Sequence, residues 1–312
     1  MGKTAILFAG QGTQYVGMGK ELYDTNASAR QVFDMGANIR DGILTLCFDG
    51  PAEDINKTEN TQPALFLFDL ACAYALRDAG VKADMAAGFS LGEIPALAYT
   101  GVLSDEEAFR TVILRAETMK ECAARYPGAM AAVLKLDNAV VEEVCSHYKN
   151  MYPVNYNCPG QISCAGAADE IDAFCAEIKE RGGRAVKLAV SGAFHTPFMA
   201  KTTAVLAESL KEADIKSPEI TLYSNYTARP YCGNKANMVE LISNQASNNV
   251  RWEEIIRDMY ANGVDTFIEV GAGTTLSKLV TRTLSDVRVF NVCDNETLNA
   301  TLEQLGAVST AV

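Results

Sequence analysis

The sequence predicts an α/β protein in which a parallel-sheet large domain carries an inserted ferredoxin-like small domain. Short apolar runs alternate with segments of helical periodicity through most of the 312 residues, a pattern typical of a parallel sheet covered by helices. Between Pro127 and Ser191 the order changes to βαββαβ, the ferredoxin-like order. We therefore expect residues 1–126 and 192–312 to form the large domain and residues 127–191 to form the small domain.

The strands of the large domain are predicted from apolar runs that are too short for helices and that adjoin segments of helical spacing. These runs are AILFAG (5–10), MAAGF (85–89), ITLYSN (220–225), TFIEVG (266–271) and RVFNV (288–292). One helix is marked at its start, because Ser104 and Glu107 have the spacing of a capping box. That helix is predicted to run to about Arg125.

The small domain is predicted from six elements in sequence. They are a strand at 129–136, a helix at 138–149, a hairpin of strands 153–157 and 161–166 around Cys158-Pro159-Gly160, a helix at 170–182 and a strand at 184–190. This unit can close a small core of its own.

Composition and charge exclude several classes of function. The net charge of −12 argues against nucleic acid or an anionic membrane surface as a partner, because neutralising phosphates needs concentrated Lys and Arg. No apolar run reaches the length of about 18 residues that spans a bilayer. Nine cysteines without a CxxC pair are typical of reduced thiols, and the two histidines lack metal-ligand spacing. We expect a cytoplasmic protein without a metal site.

Ser90 is the candidate nucleophile. It stands in GFSLGE (88–93), after a predicted strand and before a helical segment. Glycines on both sides of a serine permit the sharp turn of a nucleophile elbow, which exposes the hydroxyl above the sheet. The alternative is a serine that caps the following helix. Pro95 leaves this choice open, because proline beyond the first turn of a helix removes a hydrogen bond.

A serine nucleophile needs a base, and only two histidines are present. His195 lies in GAFH, where the inserted segment returns to the main sheet, and ligand sites collect between lobes and at the carboxyl ends of parallel strands. His147 lies on an amphipathic helix of the small domain, where a structural histidine is the better interpretation. His195 is therefore the candidate base, although a structural role for it also fits the sequence.

The loop GQGTQYVGMG (10–19) leaves the first strand. It matches neither GxGxxG nor a phosphate-binding P-loop. If the strands that end at Gly10 and Phe89 are parallel, the backbone N–H groups of Gln11 and Leu91 emerge at one edge and can bind an oxyanion. The alternative is a glycine-rich turn without a role in chemistry.

These motifs occur in one order together with TQPALF, NYNCPGQI, NQASNNVRW and EVGAG. Over nearly its whole length the sequence resembles the malonyl-CoA:acyl-carrier-protein transacylases and the acyltransferase domains of polyketide synthases. The resemblance implies transfer of a malonyl group from malonyl-CoA to the phosphopantetheine thiol of an acyl carrier protein in fatty acid biosynthesis. It also implies a hydrolase-like large domain and a malonyl-seryl intermediate, with no tightly bound cofactor. We expect the chain to act as a monomer.

The resemblance assigns roles to the catalytic residues. Ser90 is similar to the acyl-accepting nucleophile and His195 to its base. Gln11 and Leu91 resemble the oxyanion-hole pair, which acts through backbone N–H groups.

The resemblance also assigns substrate-binding residues. Arg115 is similar in place to the arginine that binds the malonyl carboxylate, and Gln62 matches a polar pocket residue. Gln245 resembles the glutamine near the histidine, where a backbone carbonyl rather than an acid orients the imidazole. Phe194 resembles the bulky residue of malonyl-type pockets.

The chain departs from the family pattern at three positions. Phe89 replaces a histidine that usually precedes the serine, Ala272 replaces the proline of EVGPG, and Pro95 replaces a small residue. The residue before an elbow serine points away from the chemistry, so we expect Phe89 to alter packing and hydrogen bonding behind Ser90 rather than abolish attack.

Three other functions stay open. A serine hydrolase or thioesterase would use water in place of the carrier, a trans-acting polyketide acyltransferase would use another carrier, and a non-catalytic carrier-binding protein would tolerate Phe89. Because carrier proteins and this chain are both acidic, docking needs a local basic patch. The candidate patch lies in KERGGRAVK and comprises Lys179, Arg181, Arg184 and Lys187, for which a solvated helix end is the alternative.

Overall fold

The computed structural model of the chain describes residues 2–306. Its strands are β1 (Lys3–Phe8), β2 (Met85–Gly88), β3 (Gly128–Leu134), β4 (Met151–Cys158), β5 (Gln161–Ala167), β6 (Arg184–Lys187), β7 (Thr221–Tyr223), β8 (Val264–Val270) and β9 (Arg288–Val292). They form a five-stranded sheet of order β7-β2-β1-β8-β9 and a four-stranded sheet of order β4-β5-β3-β6. The predicted α/β fold class is confirmed.

Helices cover both sheets. They are α1 (Lys20–Thr25), α2 (Ala27–Ile39), α3 (Ile43–Phe48), α4 (Ala52–Ile55), α5 (Thr58–Asp78), α6 (Glu93–Tyr99), α7 (Asp105–Arg125), α8 (Asn138–Ser146), α9 (Ile171–Glu180), α10 (Ala200–Ser209), α11 (Lys235–Asn244), α12 (Trp252–Ala261), α13 (Thr275–Thr283) and α14 (Asn295–Leu305). Short 3₁₀ turns span Ser90–Gly92, Pro197–Met199 and Gln245–Ser247.

The five-stranded sheet is parallel throughout, and β1 lies at its centre. Phe8 at the end of β1 pairs in register with Gly88 of β2 and with Val270 of β8. Apolar side chains of β1 are buried on both faces, as the continuous apolar run predicts. The register brings the loops that follow β1, β2 and β8 together at the carboxyl edge of the sheet, where ligand sites form in such folds.

The four-stranded sheet is antiparallel, and its strands and helices follow the predicted βαββαβ order. Helices α8 and α9 bury apolar side chains against it, with Val141 and Phe174 fully buried beside Ile162 of β5. The structure shortens the predicted helices and the last strand by a few residues each. The division into domains at residues 126/127 and 191/192 stays a prediction.

Two long helices bring polar side chains toward the carboxyl edge of the parallel sheet. Helix α5 is buried along most of its length and carries Gln62. Helix α7 begins with the predicted capping box, in which the Ser104 hydroxyl accepts a hydrogen bond from the Glu107 N–H, and it carries Arg115. The helices pack together, with the rings of Phe66 and Phe109 5.4 Å apart between centroids. This packing fixes the spacing of Gln62 and Arg115.

Among residues 2–306 no helix is long and apolar enough to cross a membrane.

Candidate active site

Ser90 occupies the turn between β2 and α6, with a left-handed backbone (φ 52°). The two glycines around it are required by space. A Cβ at position 88 would lie 1.9 Å from the Gly92 carbonyl carbon, and a Cβ at position 92 would lie 2.2 Å from the Phe8 carbonyl oxygen. Ser90 does not cap α6, because the cap position is Gly92 and Pro95 falls in the first helical turn, where no N–H partner is lost. The turn therefore has the geometry of a nucleophile elbow.

His195 meets Ser90 across the carboxyl edge of the sheet. Its Nε2 lies 2.7 Å from the Ser90 Oγ, and its Nδ1 lies 3.0 Å from the carbonyl oxygens of both Gln245 and Asn248. Because carbonyls only accept, Nδ1 carries the proton and Nε2 is the free acceptor. Burial, helped by the charge of Arg115, lowers the pKa of His195 to about 4. The imidazole is thus a neutral base aimed at the serine hydroxyl.

Arg115 is buried next to this pair, with 1% of its surface exposed. Its guanidinium donates hydrogen bonds to Gln62 Oε1 (2.6 Å), Gln245 Oε1 (3.0 Å) and Ser90 Oγ (3.3 Å). No carboxylate within residues 2–306 forms an ion pair with it. Burial lowers the pKa of Arg115 to about 10, and the charge of Glu93 opposes this shift. The site holds a desolvated cation that is ready to take an anion.

Gln245 and Gln62 orient this cation. Gln245 accepts hydrogen bonds from Arg115 through its side chain, donates to the Ser90 carbonyl, and receives the His195 Nδ1–H at its own backbone carbonyl. Gln62 accepts from Arg115, while its Nε2 faces the Met119 sulfur at 3.5 Å, which is a weak acceptor. Five of the predicted site residues are therefore joined in one hydrogen-bonded group.

A cavity of about 190 Å³ opens over this group, between the two sheets. Predicted residues line it together with side chains of the four-stranded sheet, of α7 and α13 and of the segment after β6. The lining residues are Gln11, Gln62, Phe89, Ser90, Arg115, Met119, Met130, Asn155, Asn157, Gln161, Ser163, Leu188, Val190, Phe194, His195, Thr275 and Leu279. Phe194 forms part of an apolar wall with Met119 and Met130. Larger grooves of about 630 and 570 Å³ lie elsewhere, and no predicted site residue lines them.

The predicted oxyanion donors lie on neighbouring loops. The Phe89 N–H donates to the Phe8 carbonyl at 3.0 Å, which ties the start of the elbow to the end of β1. Gln11 borders the cavity. Within residues 2–306 neither the Gln11 nor the Leu91 backbone N–H has a hydrogen-bond acceptor. Two free donors on adjacent loops beside a nucleophile can hold a developing oxyanion.

Phe89 packs behind the elbow, with its ring 5.4 Å from the buried Trp252 ring in an edge arrangement. The indole Nε1 of Trp252 is buried and has no hydrogen-bond acceptor within residues 2–306. Phe89 also borders the cavity, so it is not wholly turned away from the site as the sequence suggested.

Asn225, Glu93 and Tyr231 were not predicted as site residues. Asn225 accepts the Ser90 N–H at 2.7 Å, and Glu93 accepts hydrogen bonds from the Asn225 N–H and the Tyr231 hydroxyl. Burial raises the pKa of Glu93 to about 7, against the effect of these hydrogen bonds. Asn225 ends the predicted strand ITLYSN, and this place at a carboxyl edge was the signal that could have found it.

His147 lies apart from the cavity. Its Nδ1 is 2.8 Å from Glu177 Oε1 at an exposed end of α8. This placement agrees with the structural interpretation of that histidine.

Comparisons with known proteins identify the relatives of the chain. Residues 6–302 match the family described as the acyl transferase domain. The chain is 38% identical over 98% of both lengths to a malonyl CoA-acyl carrier protein transacylase of Bacillus subtilis. A crystal structure of the transacylase of that name from Clostridium perfringens superposes with a TM-score of 0.93 at 36% identity, covering 97% of each chain.

A further solved structure contains a type II PKS acyl-carrier protein in complex with its malonyl-transacylase. It superposes with a TM-score of 0.91 at 30% identity and covers 97% of this chain and 99% of that chain.

Proposed function

The chain belongs to the acyl transferase family, among the malonyl CoA-acyl carrier protein transacylases, and from this membership we propose how its residues move a malonyl group. The enzyme transfers malonyl from malonyl-CoA to the phosphopantetheine thiol of an acyl carrier protein in fatty acid biosynthesis. The observation that carries the residue assignment is the 2.7 Å contact of Ser90 Oγ with His195 Nε2.

In the first half-reaction Ser90 attacks the thioester carbonyl of malonyl-CoA while His195 Nε2 takes the hydroxyl proton. The oxyanion that develops is held by the N–H groups of Gln11 and Leu91. The tetrahedral intermediate collapses to the malonyl-seryl ester, and His195 returns its proton to the departing CoA thiolate. The neutral state of His195, supported by its lowered pKa of about 4, lets it begin the cycle as a base.

Arg115 selects the malonyl group. A guanidinium pairs bidentately with a carboxylate, and a charge-assisted hydrogen bond contributes on the order of 1.5 to 3 kcal/mol. That contribution corresponds to roughly tenfold to a hundredfold preference for malonyl over acetyl. Gln62 and Gln245 keep the guanidinium in place, and Phe194 limits the space beside the methylene of the acyl group.

Malonyl binding also changes the base. The charge of Arg115 is the second cause that lowers the pKa of His195, after burial. A malonyl carboxylate paired with Arg115 offsets that charge, so the pKa of His195 rises while malonyl is bound. The imidazole becomes a better proton acceptor when the cognate acyl group is present.

In the second half-reaction the carrier's pantetheine thiol gives its proton to His195 and attacks the seryl ester. A thiol has a reference pKa of about 8.5, so a neighbouring base is needed near neutral pH. The two thioesters are chemically alike, which makes the overall exchange nearly thermoneutral. The burial of His195 and Arg115 beside Ser90 limits competition by water.

The docking surface for the acidic carrier should be basic. In the predicted patch, Arg181 pairs with Glu143 at 3.0 Å and Lys187 pairs with Asp172. Lys179 and Arg184 have no ion-pair partner in the described part of the chain. This neutralisation weakens the patch as a surface for an acidic partner.

A second basic surface lies on α13, and we assign the docking of the carrier to it. Lys278 and Arg282 are exposed and have no ion-pair partner within residues 2–306. Thr275 and Leu279 of the same helix line the cavity. A carrier on α13 therefore has its pantetheine thiol near the entrance to the site.

We propose that residues 127–191 form the small domain and that the chain acts as a cytoplasmic monomer. We also propose that malonyl-CoA binds without a resident cofactor. Within residues 2–306 no cluster of three or more His, Cys, Asp or Glu side chains has the arrangement of a metal site.

Mass spectrometry after incubation with malonyl-CoA tests the mechanism. We expect an adduct of one malonyl group on Ser90 that persists in buffer and is released by the thiol of a holo acyl carrier protein. An adduct that water removes as fast as the carrier does would instead indicate a thioesterase. The absence of an adduct on Ser90 would overturn the proposal and favour a carrier-binding protein without catalysis.

A trans-acting polyketide acyltransferase is the second candidate, because one superposed structure is a complex with a PKS carrier. Both candidates use the same chemistry. Discharge rates to a fatty acid carrier and to a polyketide carrier, measured with one malonyl-enzyme preparation, separate them.

A further inference from the structure

The nucleophile's backbone is held in a conformation that serine rarely adopts. Ser90 has φ 52°, and a non-glycine residue in this left-handed region persists only where the surrounding structure fixes it. The hydrogen bond to His195 holds only the side chain of Ser90. Other groups must therefore hold its main chain.

Asn225 supplies two of the contacts that hold this main chain. Its Oδ1 accepts the Ser90 N–H at 2.7 Å, and its Nδ2 donates to the Gly88 carbonyl at 2.7 Å. One side-chain amide thus bridges the residues on either side of Phe89. The bridge spans from the carboxyl end of β7 to the carboxyl end of β2, which are neighbouring strands.

Asn225 is itself fixed on every side and is fully buried. Its N–H donates to Glu93 Oε2 at 3.0 Å, and its carbonyl accepts the Arg251 N–H at 3.1 Å. The other Glu93 oxygen accepts the hydroxyl of Tyr231. The side chain of Asn225 has no freedom to leave the elbow, so it acts as a rigid part of the scaffold.

We propose that Asn225 is a positioning residue for the acyl transfer, an inference that rests on the function proposed above for Ser90. It does not border the cavity and does not touch the acyl group. It fixes the Ser90 peptide, and thereby both the direction of the hydroxyl and the direction of the next N–H, that of Leu91. Loss of this bridge misplaces nucleophile and oxyanion donor together, while Arg115 and the substrate pocket stay intact.

The first test is Asn225→Ala, assayed by the rate of malonyl-seryl formation. Because a misplacement of about 1 Å costs about a hundredfold in rate, we expect kcat for loading to fall by about that factor while KM for malonyl-CoA is unchanged. A general loss of structure would instead lower the amount of active enzyme, which titration of Ser90 by the adduct measures. An unchanged kcat in folded enzyme would overturn the proposal.

The second test is Asn225→Asp, which answers the question even where the alanine variant fails to fold. An aspartate keeps the acceptor for the Ser90 N–H, but it donates to the Gly88 carbonyl only when protonated. Activity of this variant should fall as pH rises and recover on return to lower pH, whereas activity of the wild type should stay level between about pH 5 and pH 8, since its base has a pKa of about 4.

Asn262→Asp makes the same change at an exposed asparagine and should keep the wild-type pH profile. An Asn225→Asp profile that parallels the wild type would refute the role of Asn225. Failure of the wild type itself to form a Ser90 adduct would instead refute the underlying function.

Discussion

His195 Nε2 lies 2.7 Å from Ser90 Oγ, although the two residues are 105 positions apart in the chain. The imidazole is oriented by two backbone carbonyls and not by a carboxylate. A carboxylate partner would stabilise the imidazolium, whereas carbonyls stabilise it less. Burial and the nearby Arg115 charge lower the pKa of His195, and the two carbonyl hydrogen bonds offset only part of that shift. This dyad is therefore built around a neutral histidine.

The pH dependence of loading should report this neutral histidine. The pKa of His195 is lowered to about 4, so the base form dominates at every pH above that value. We expect kcat/KM for malonyl-CoA, which reports groups of the free enzyme, to stay level from pH 8 down to about pH 5 and to fall only toward pH 4. Rapid-quench measurement of adduct formation checks it. A midpoint near pH 6.5 would show an imidazole with its ordinary pKa.

Replacement of Arg115 should change which acyl group is accepted. In Arg115→Ala we expect malonyl loading to fall roughly tenfold to a hundredfold, as for the loss of a charge-assisted hydrogen bond. Acetyl loading should hold or rise, since acetyl has no carboxylate. Parallel assays with malonyl-CoA and acetyl-CoA measure the ratio.

Arg110→Ala is the matched control for this substitution, because Arg110 is an exposed arginine of the same helix. It should leave both rates unchanged. An equal loss of malonyl and acetyl loading in Arg115→Ala would show that Arg115 does not bind the carboxylate.

The titration of Asp69 should make the free energy of unfolding depend on pH. Its side chain is fully buried on α5, and both carboxyl oxygens lack a hydrogen-bond partner among the residues that the structure describes. Burial together with the charge of Glu269 raises its pKa well above the usual range. A folded-state pKa above the unfolded value means that the stabilising contribution is complete below about pH 3.9 and is lost as pH rises toward the folded-state pKa. Between these two pKa values, titration of Asp69 should lower the free energy of unfolding of the wild type by on the order of 1 kcal/mol per pH unit.

Asp69→Asn removes that titration while it keeps the shape of the side chain. Urea unfolding from pH 5 to pH 9 should show that the variant's stability relative to the wild type increases with pH. Asp41→Asn, a change at an exposed carboxylate, should show no such trend. A constant difference between Asp69→Asn and the wild type across this range would contradict the prediction.

Ser90 and His195 could be predicted from the sequence because each belongs to a short motif whose residue types have a chemical reason, whereas Arg115 was assigned only through the family resemblance. The parallel sheet could also be predicted from the sequence, since buried strands appear as short apolar runs. Asn225 could not be assigned from its own neighbourhood, because its role depends on β7 lying next to β2 in space. The burial of the Asp69 carboxyl likewise depends on tertiary packing. Asp69 looks like an ordinary polar residue of a helix, and only the packing of α5 under the loop at Gly271 shows that its carboxyl is enclosed.

Ion pairing between basic and acidic side chains on different elements also could not be predicted from the sequence. The predicted basic patch consists of residues that are close in sequence, yet Arg181 and Lys187 face acidic partners on other elements. Lys278 and Arg282 belong to no basic cluster in the sequence. The fold places them on α13, the helix whose Thr275 and Leu279 line the cavity. Local composition counts charges, whereas only the tertiary structure shows which are already neutralised.

Charge reversal should separate the two candidate docking surfaces. In Lys278→Glu with Arg282→Glu we expect KM for the holo carrier to rise by about tenfold at low salt, because charged groups around an interface mainly govern encounter with an acidic partner. The effect should shrink as salt is added. The measurement is discharge of purified malonyl-enzyme, so that binding of CoA does not contribute. Free pantetheine, which lacks the carrier's charge, should discharge variant and wild type equally.

Lys179→Glu with Arg184→Glu is the matched variant, since it reverses two exposed basic residues that also lack ion-pair partners within residues 2–306. Because two of the four basic residues of that patch are already paired with carboxylates, we expect a change in KM for the carrier of less than about twofold, in the range of ordinary surface charges. A larger rise in KM for the carrier from this pair than from the α13 pair would show that the carrier docks on the small domain and not on α13. Loss of pantetheine discharge in the α13 variant would mean that its charges act on the site itself.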